Sequence, residues 1–149
     1  MKYIISFIGK SKTTDEDIIT KKYLKRLNNV VIKQHEVKTN NIKLKMMEEG
    51  SKLIKATPLN GKLILLDEQG ENLSSTELAE LISKWRDNNI SSINFAIGGA
   101  FGNGKLIKKS ADKVVALGKL TWPHQMVKMM VAEQIYRIET ILEGHPYHK

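Results

Sequence analysis

Two rhythms of apolar residues alternate along the chain. Tyr3-Ile4-Ile5-Ser6-Phe7-Ile8 is a near-continuous apolar run that stops at Gly9, the pattern of a buried strand. Thr14 then stands three residues before Asp17, an [ST]-x-x-[DE] start signal, and Ile18, Ile19, Tyr23 and Leu27 follow at helical spacing. The β-branched stretch Val30–Val37 predicts a second strand. Asn40 or Asn41 can cap a second helix carrying Ile42, Met46, Leu53 and Ile54, ending near Thr57-Pro58. Lys62–Leu66 predicts a third strand. Ser74 and Glu77 form another capping pair, ahead of Leu78, Leu81, Ile82 and Trp85 at i, i+3, i+4, i+7. Ile93–Ile97 predicts a fourth strand that stops at Gly98-Gly99. A short Lys-rich helix over Lys105–Ser110, a fifth strand over Val114–Leu117 and a long helix over Gln125–Leu142 complete the pattern.

Strands alternating with helices predict an α/β fold: an open, mostly parallel sheet with helices on both faces. No repeat, low-complexity tract or linker interrupts the pattern, so one domain is expected over residues 1–149. In such sheets ligands sit beyond the carboxyl ends of the strands. That singles out three loops: after Leu66, at Gly98–Gly104, and at Gly118–His124.

Composition narrows the possibilities. The chain has 149 residues, 41% of them hydrophobic, enough for a buried core. It has no Cys, which excludes a disulfide scaffold, thiolate zinc sites and a Cys nucleophile, and makes the cytoplasm the simplest compartment. No apolar run approaches the roughly 18 residues that span a bilayer, so no membrane partner is expected. The net charge is +8, unevenly spread: 14 basic and 6 acidic side chains precede Leu63, and only 2 basic against 6 acidic fall in residues 63–99. A basic first half suggests a face built for a polyanion.

The glycine run Gly98-Gly99-Ala100-Phe101-Gly102-Asn103-Gly104 follows a strand and opens a helix. It supplies no G-x-G-x-x-G. Gly99 and Gly104-Lys105 match a phosphate-binding loop only until Leu106, which replaces the hydroxyl residue that would hold Mg²⁺. A glycine-lined pocket for an adenosine-type ligand remains, beside the alternative of a simple turn. Pro123 ends extended structure, and His124 either caps the following helix or serves the site. Asp67 either meets a ligand hydroxyl or amine, or caps its own loop. The last helix is apolar around more than one face, through Met126, Val127, Met129, Met130, Val131, Ile135, Ile138, Ile141 and Leu142, so it packs into the core or against a second subunit. The tail His145-Pro146-Tyr147-His148 lacks a third metal ligand, so no metal site is expected. Hydrolase motifs are absent.

Taken in order, these features resemble one family, the large-subunit ribosomal RNA methyltransferase H family of the SPOUT superfamily. The resemblance spans the chain. It rests on Phe7-Ile8-Gly9-Lys10, Tyr23-Leu24-Lys25-Arg26-Leu27, Leu65-Leu66-Asp67, Ser74-Ser75, Ile97-Gly98-Gly99, Leu120-Thr121-Trp122-Pro123-His124, Glu133-Gln134-Ile135-Tyr136-Arg137 and His145-Pro146-Tyr147-His148-Lys149. It implies a C-terminal trefoil knot, a homodimer and S-adenosyl-L-methionine as cofactor. It also implies N3-methylation of a pseudouridine in large-subunit ribosomal RNA on the assembled ribosome. The cofactor-binding residues it implies are Leu66, Gly98, Leu117, Gly118, Lys119, Leu120, Thr121 and Trp122. Where the family often carries Arg after the Pro-His pair this chain has Lys128, a weaker substitute if the role is a bidentate phosphate grip.

For the implied reaction His148 is the first candidate for the proton acceptor, with His124 behind it and water as a third. Arg137 would stabilise the developing negative charge and Tyr147 would stack on the target base or bond to it. The structural alternatives are an Arg137–Glu133 ion pair at i−4 and a tail used for dimer packing. Lys10, Lys12, Lys21, Lys22, Lys25, Arg26, Lys105, Lys108 and Lys109 would bind RNA phosphates. Two other functions compete: a non-catalytic basic protein that binds ribosomal RNA, and a SPOUT enzyme acting on transfer RNA.

Overall fold

The computed structural model describes residues 1–10 and 13–148. The elements run β1 (Lys2–Ile8), α1 (Asp15–Leu24), β2 (Val30–His35), α2 (Ile42–Lys55), β3 (Gly61–Asn72), α3 (Ser75–Asp87), β4 (Ser92–Ile97), α4 (Lys105–Ser110), β5 (Lys113–Ala116) and α5 (His124–Leu142). The five strands form one sheet in the order β2-β1-β4-β3-β5, and every pairing is parallel. The expectation of a mostly parallel sheet is thus sharpened to a fully parallel one.

The local start signals act as their chemistry demands. The Thr14 and Ser74 side chains accept from the backbone N–H of Asp17 and Glu77, and those acids reach back to the cap N–H, closing both capping boxes. Asn41, rather than Asn40, caps α2 through a bond from the Leu44 N–H.

Three element boundaries depart from the sequence pattern. β2 stops at His35 rather than Val37, and β5 runs over Lys113–Ala116 rather than Val114–Leu117. β3 continues past Leu66 to Asn72. Its pairing with β5 slips between Leu66 and Glu71, so residues 67–70 bow out of the ladder. A polar stretch such as Asp67-Glu68-Gln69-Gly70 carries no strand signal. Its extension comes from long-range pairing with β5.

The central strands β1 and β4 are buried on both faces, which explains their unbroken apolar runs. Tyr3, Ile5, Phe7, Ile93, Phe95 and Ile97 point to one face, where they meet α3 and α5 through Leu78, Ile82, Val131, Ile135 and Ile138. Helix α5 lies between α1 and α3 on that face. The other face carries α2 and α4, closed by Ile8, Leu53, Leu63, Leu65, Ala96 and Ile107. Much of the apolar girth of α5 is therefore spent on its own domain.

Asn94 lies fully buried on the α2 face. Its Oδ1 accepts from Ser6 Oγ (2.8 Å), and its Nδ2 donates to Leu53 O (3.1 Å) and Thr57 Oγ1 (2.9 Å). This network fixes the end of α2 to the sheet. Asn94→Ala leaves the Ser6 hydroxyl and the Leu53 carbonyl buried without partners, and is expected to cost about 2–3 kcal/mol in urea unfolding.

Lys128 is engaged inside the fold rather than free at the surface. It is 4% exposed, pairs with Asp17 of α1 and lies 4.6 Å over the Phe7 ring. Here Lys at this position ties α1 to α5 beneath the sheet's carboxyl edge. No helix among the described residues is long and apolar enough to cross a membrane.

Candidate active site

A cavity of about 530 Å³ opens beyond the carboxyl ends of β3, β4 and β5. The three loops selected from sequence build it: residues 66–69 after the regular part of β3, 97–103 after β4, and 115–122 around and beyond the end of β5, with His124 and Val127 of α5 closing one side. The volume falls in the range of small-molecule sites.

Asn103 joins two of the loops. Its Nδ2 donates to Leu66 O and to Asp67 Oδ2, both at 3.0 Å. A Cβ on Gly98 would fall on Asn103 Oδ1, so only glycine lets the two chains approach this closely. The third loop is tied on as well. Thr121 Oγ1 donates to Glu68 Oε2 (2.7 Å), and the Gly118 N–H donates to Asn72 Oδ1 (3.1 Å) from a backbone with φ of 91°. Trp122 Nε1 donates to Leu117 O (3.0 Å), closing residues 117–122 on themselves.

Asp67 is the charged centre of this wall. Burial pushes its carboxyl upward, but hydrogen bonds from Asn103, the Gln69 backbone and Lys108 outweigh that and hold it below the usual carboxylate range. A lowered native value stabilises the fold above the ordinary carboxylate pKa of about 3.9 and is lost as pH falls through the native value. Wild type is therefore expected to melt higher than Asp67→Asn from pH 7 down to about pH 4, with the gap closing below that. Thermal scans across that range check it.

Of the cofactor residues expected from sequence, Leu66, Gly98, Leu117, Gly118, Leu120, Thr121 and Trp122 line the cavity. Lys119 is exposed and is not part of its wall. His124 opens α5 and lines the cavity, with Pro123 rather than His124 at the cap. Lys108 turns inward to Asp67 (3.0 Å) rather than standing free for a phosphate. Asn103, Glu68 and Asn72 were not singled out from sequence. Only the position of Asn103 within the glycine run hinted at a role.

The chain-end residues form a separate cluster. Arg137 donates from Nε (3.0 Å) and from a terminal nitrogen (2.5 Å) to Glu133 Oε1, and its other terminal nitrogen donates to His148 Nδ1 (3.2 Å). Tyr147 Oη donates to the same Glu133 oxygen (3.1 Å), and the Arg137 guanidinium lies 5.0 Å from the Tyr147 ring centre. Burial, with hydrogen bonds to Tyr23 and Glu133, pushes the Tyr147 phenol up to about 12. The structure thus brings Arg137, Tyr147 and His148 together, and it includes the Arg137–Glu133 pair weighed as the structural alternative. It does not bring them to the cavity of the same chain. A helix rises about 1.5 Å per residue, so Arg137 stands about 20 Å along α5 from His124. Lys12 and Lys149 lie outside the described residues.

Comparison with known proteins settles the family. A family model described as "Predicted SPOUT methyltransferase" matches residues 1–148. The chain belongs to the SPOUT methyltransferase family. Among SPOUT-type relatives, the ribosomal RNA large subunit methyltransferase H of Paramagnetospirillum magneticum is 35% identical over all of this chain and 99% of its own length. The protein of the same name from Rhizobium rhizogenes is 39% identical over 95% of each chain. The SpoU methyltransferase AviRb from Streptomyces viridochromogenes, solved in complex with the cofactor AdoMet, aligns at a TM-score of 0.47 and 10% identity. That alignment covers 91% of this chain and 57% of AviRb.

Proposed function

We propose that this protein transfers a methyl group from S-adenosylmethionine to N3 of a pseudouridine in large-subunit ribosomal RNA, acting in the cytoplasm on the assembled ribosome. The observation that carries this reading is the cavity that three hydrogen-bonded loops build at the sheet's carboxyl edge in a SPOUT-family chain. That the relatives are ribosomal RNA large subunit methyltransferases favours ribosomal RNA over transfer RNA.

The residues present fit the cofactor. Leu66, Ile97, Val115 and Leu117 offer an apolar wall for an adenine ring, the glycine backbone permits close approach, and Asp67 and Glu68 offer acceptors for ribose hydroxyls or an amine. Bound there, the sulfonium supplies an already activated methyl group. The protein's work is then alignment and charge stabilisation. The N3 proton must leave the imide. His148 would take it at Nδ1, the nitrogen that now accepts from Arg137. If Arg137 turns from His148 to the developing imide anion, it frees that lone pair and stabilises the charge in one movement. Tyr147 beside them offers a stacking ring.

Because these groups stand about 20 Å from the cavity along α5, we assign their partner cavity to the second chain of a homodimer. Membership of the SPOUT family supports a trefoil knot in the C-terminal part of the chain. Incubating the protein with methyl-labelled S-adenosylmethionine and intact ribosomes, free ribosomal RNA or transfer RNA tests the reading. Label is expected in large-subunit RNA from ribosomes. Label in transfer RNA alone would move the substrate to the competing class.

A further inference from the structure

A second cavity, of about 470 Å³, adjoins the first, and the two share Gly99, Ala100, Phe101 and His124. Glu49 of α2 is built into its wall. The residue is 3% exposed, and its Oε2 is buried with no hydrogen-bond partner among the described residues. The carboxylate rests on the backbone of Gly99, where a Cβ would stand 2.5 Å from Oε2. Burial pushes the Glu49 carboxyl up, against the opposing charge of Lys45. On α2, Glu49 lies in line with Met46 and Leu53 at i, i+3 and i+7, so an acid occupies the inward stripe of the helix. A buried acceptor without a donor is costly in a folded protein, and a water or a ligand in the adjoining cavity supplies the missing hydrogen.

The rest of the cavity fits one kind of ligand. Phe101 offers a ring face, with the Lys45 ammonium 5.7 Å from its centre. Lys10 and Lys38 add positive charge to the walls, offset in part by Glu36. An aromatic platform, flanking cations and a buried acceptor together suit a nucleotide whose base carries a ring N–H. A base placed there lies beside the cavity assigned to the methyl donor.

We infer that this second cavity receives the target pyrimidine of the RNA and that the Glu49 carboxylate accepts a hydrogen bond from its N1–H, the ring N–H that is not methylated. The inference rests on the RNA methyltransferase reading above and adds the residue that holds the base.

Glu49→Leu and Glu49→Gln test it on the full-length protein. Calorimetric titration gives S-adenosylmethionine affinity, thermal melting gives stability, and methyl transfer at varied ribosome concentration gives kcat/KM. Glu49→Leu is expected to bind the cofactor within about twofold of wild type and to melt no lower, because the unpartnered carboxylate is gone. Its kcat/KM for ribosomes is expected to fall about tenfold or more, the loss of one hydrogen bond to a charged acceptor. Glu49→Gln keeps an acceptor oxygen in the same volume and is expected to lie between. Methyl transfer by Glu49→Leu at the wild-type rate overturns the inference. So does loss of cofactor affinity in both variants, which would make Glu49 a support of the Gly99 loop. Failure of the wild type itself to methylate any RNA is a different result and takes down the underlying reading.

Discussion

Gly98→Arg is expected to abolish S-adenosylmethionine binding, with affinity at least about a hundredfold weaker, a loss of about 2.7 kcal/mol or more. The reason is local and steric. Even the first carbon of a side chain at Gly98 lands on Asn103, and Asn103 ties the β4 loop to Leu66 and Asp67. A long side chain must displace that amide and occupy the space the cofactor needs. The substitution lies at the half-buried mouth of the site, outside the packed strands, so the fold is expected to survive. Calorimetric titration of wild type and variant, with a circular dichroism melt of each, measures both parts. Wild-type affinity in the variant would remove the cofactor from this cavity.

Arg137→Ala is expected to leave cofactor affinity unchanged and to reduce methyl transfer by roughly 100-fold or more, the scale of losing one preorganised stabiliser of a developing anion. Arg137 is held by Glu133, and its free edge meets His148. Removing it deprives the imide anion of its cation and His148 of the group that orients it. Arg137→Lys should recover only part of the rate, because an ammonium cannot span Glu133 and His148 with a planar fork. A purely structural Arg137 predicts a different pattern, a lower melting temperature with a normal rate per folded molecule. The composite-dimer arrangement adds a sharper result. Gly98→Arg chains mixed and refolded with Arg137→Ala chains should regain activity, since some dimers pair one intact cavity with one intact tail. No recovery would place cavity and tail in the same chain.

What could be read from sequence followed from interaction range. The capping boxes at Thr14–Asp17 and Ser74–Glu77 are local, and the structure contains both. The three ligand loops were legible because a parallel sheet places its sites at carboxyl ends, and those ends were marked by Gly98, Gly118 and Leu66-Asp67. Contacts between distant segments were not legible. Lys128 pairs with Asp17 across most of the chain, and β3 runs on to Asn72 only because β5 lies beside it. Asn103 looked like a loop residue until the fold put Leu66 and Asp67 within its reach. Glu49 is an intermediate case. Its place in the apolar stripe of α2 was visible in the spacing, but that its Oε2 finds no donor among the described residues becomes visible only when the surrounding elements are assembled.

The most direct measurement is mass analysis of nucleosides from large-subunit ribosomal RNA. The RNA comes from ribosomes lacking the modification, incubated with this protein and S-adenosylmethionine. One new nucleoside is expected, a pseudouridine carrying a single extra methyl on N3, absent when Gly98→Arg replaces the wild type. A methyl group on a ribose or on another base, or none on ribosomal RNA while the cofactor binds normally, would contradict the proposed function.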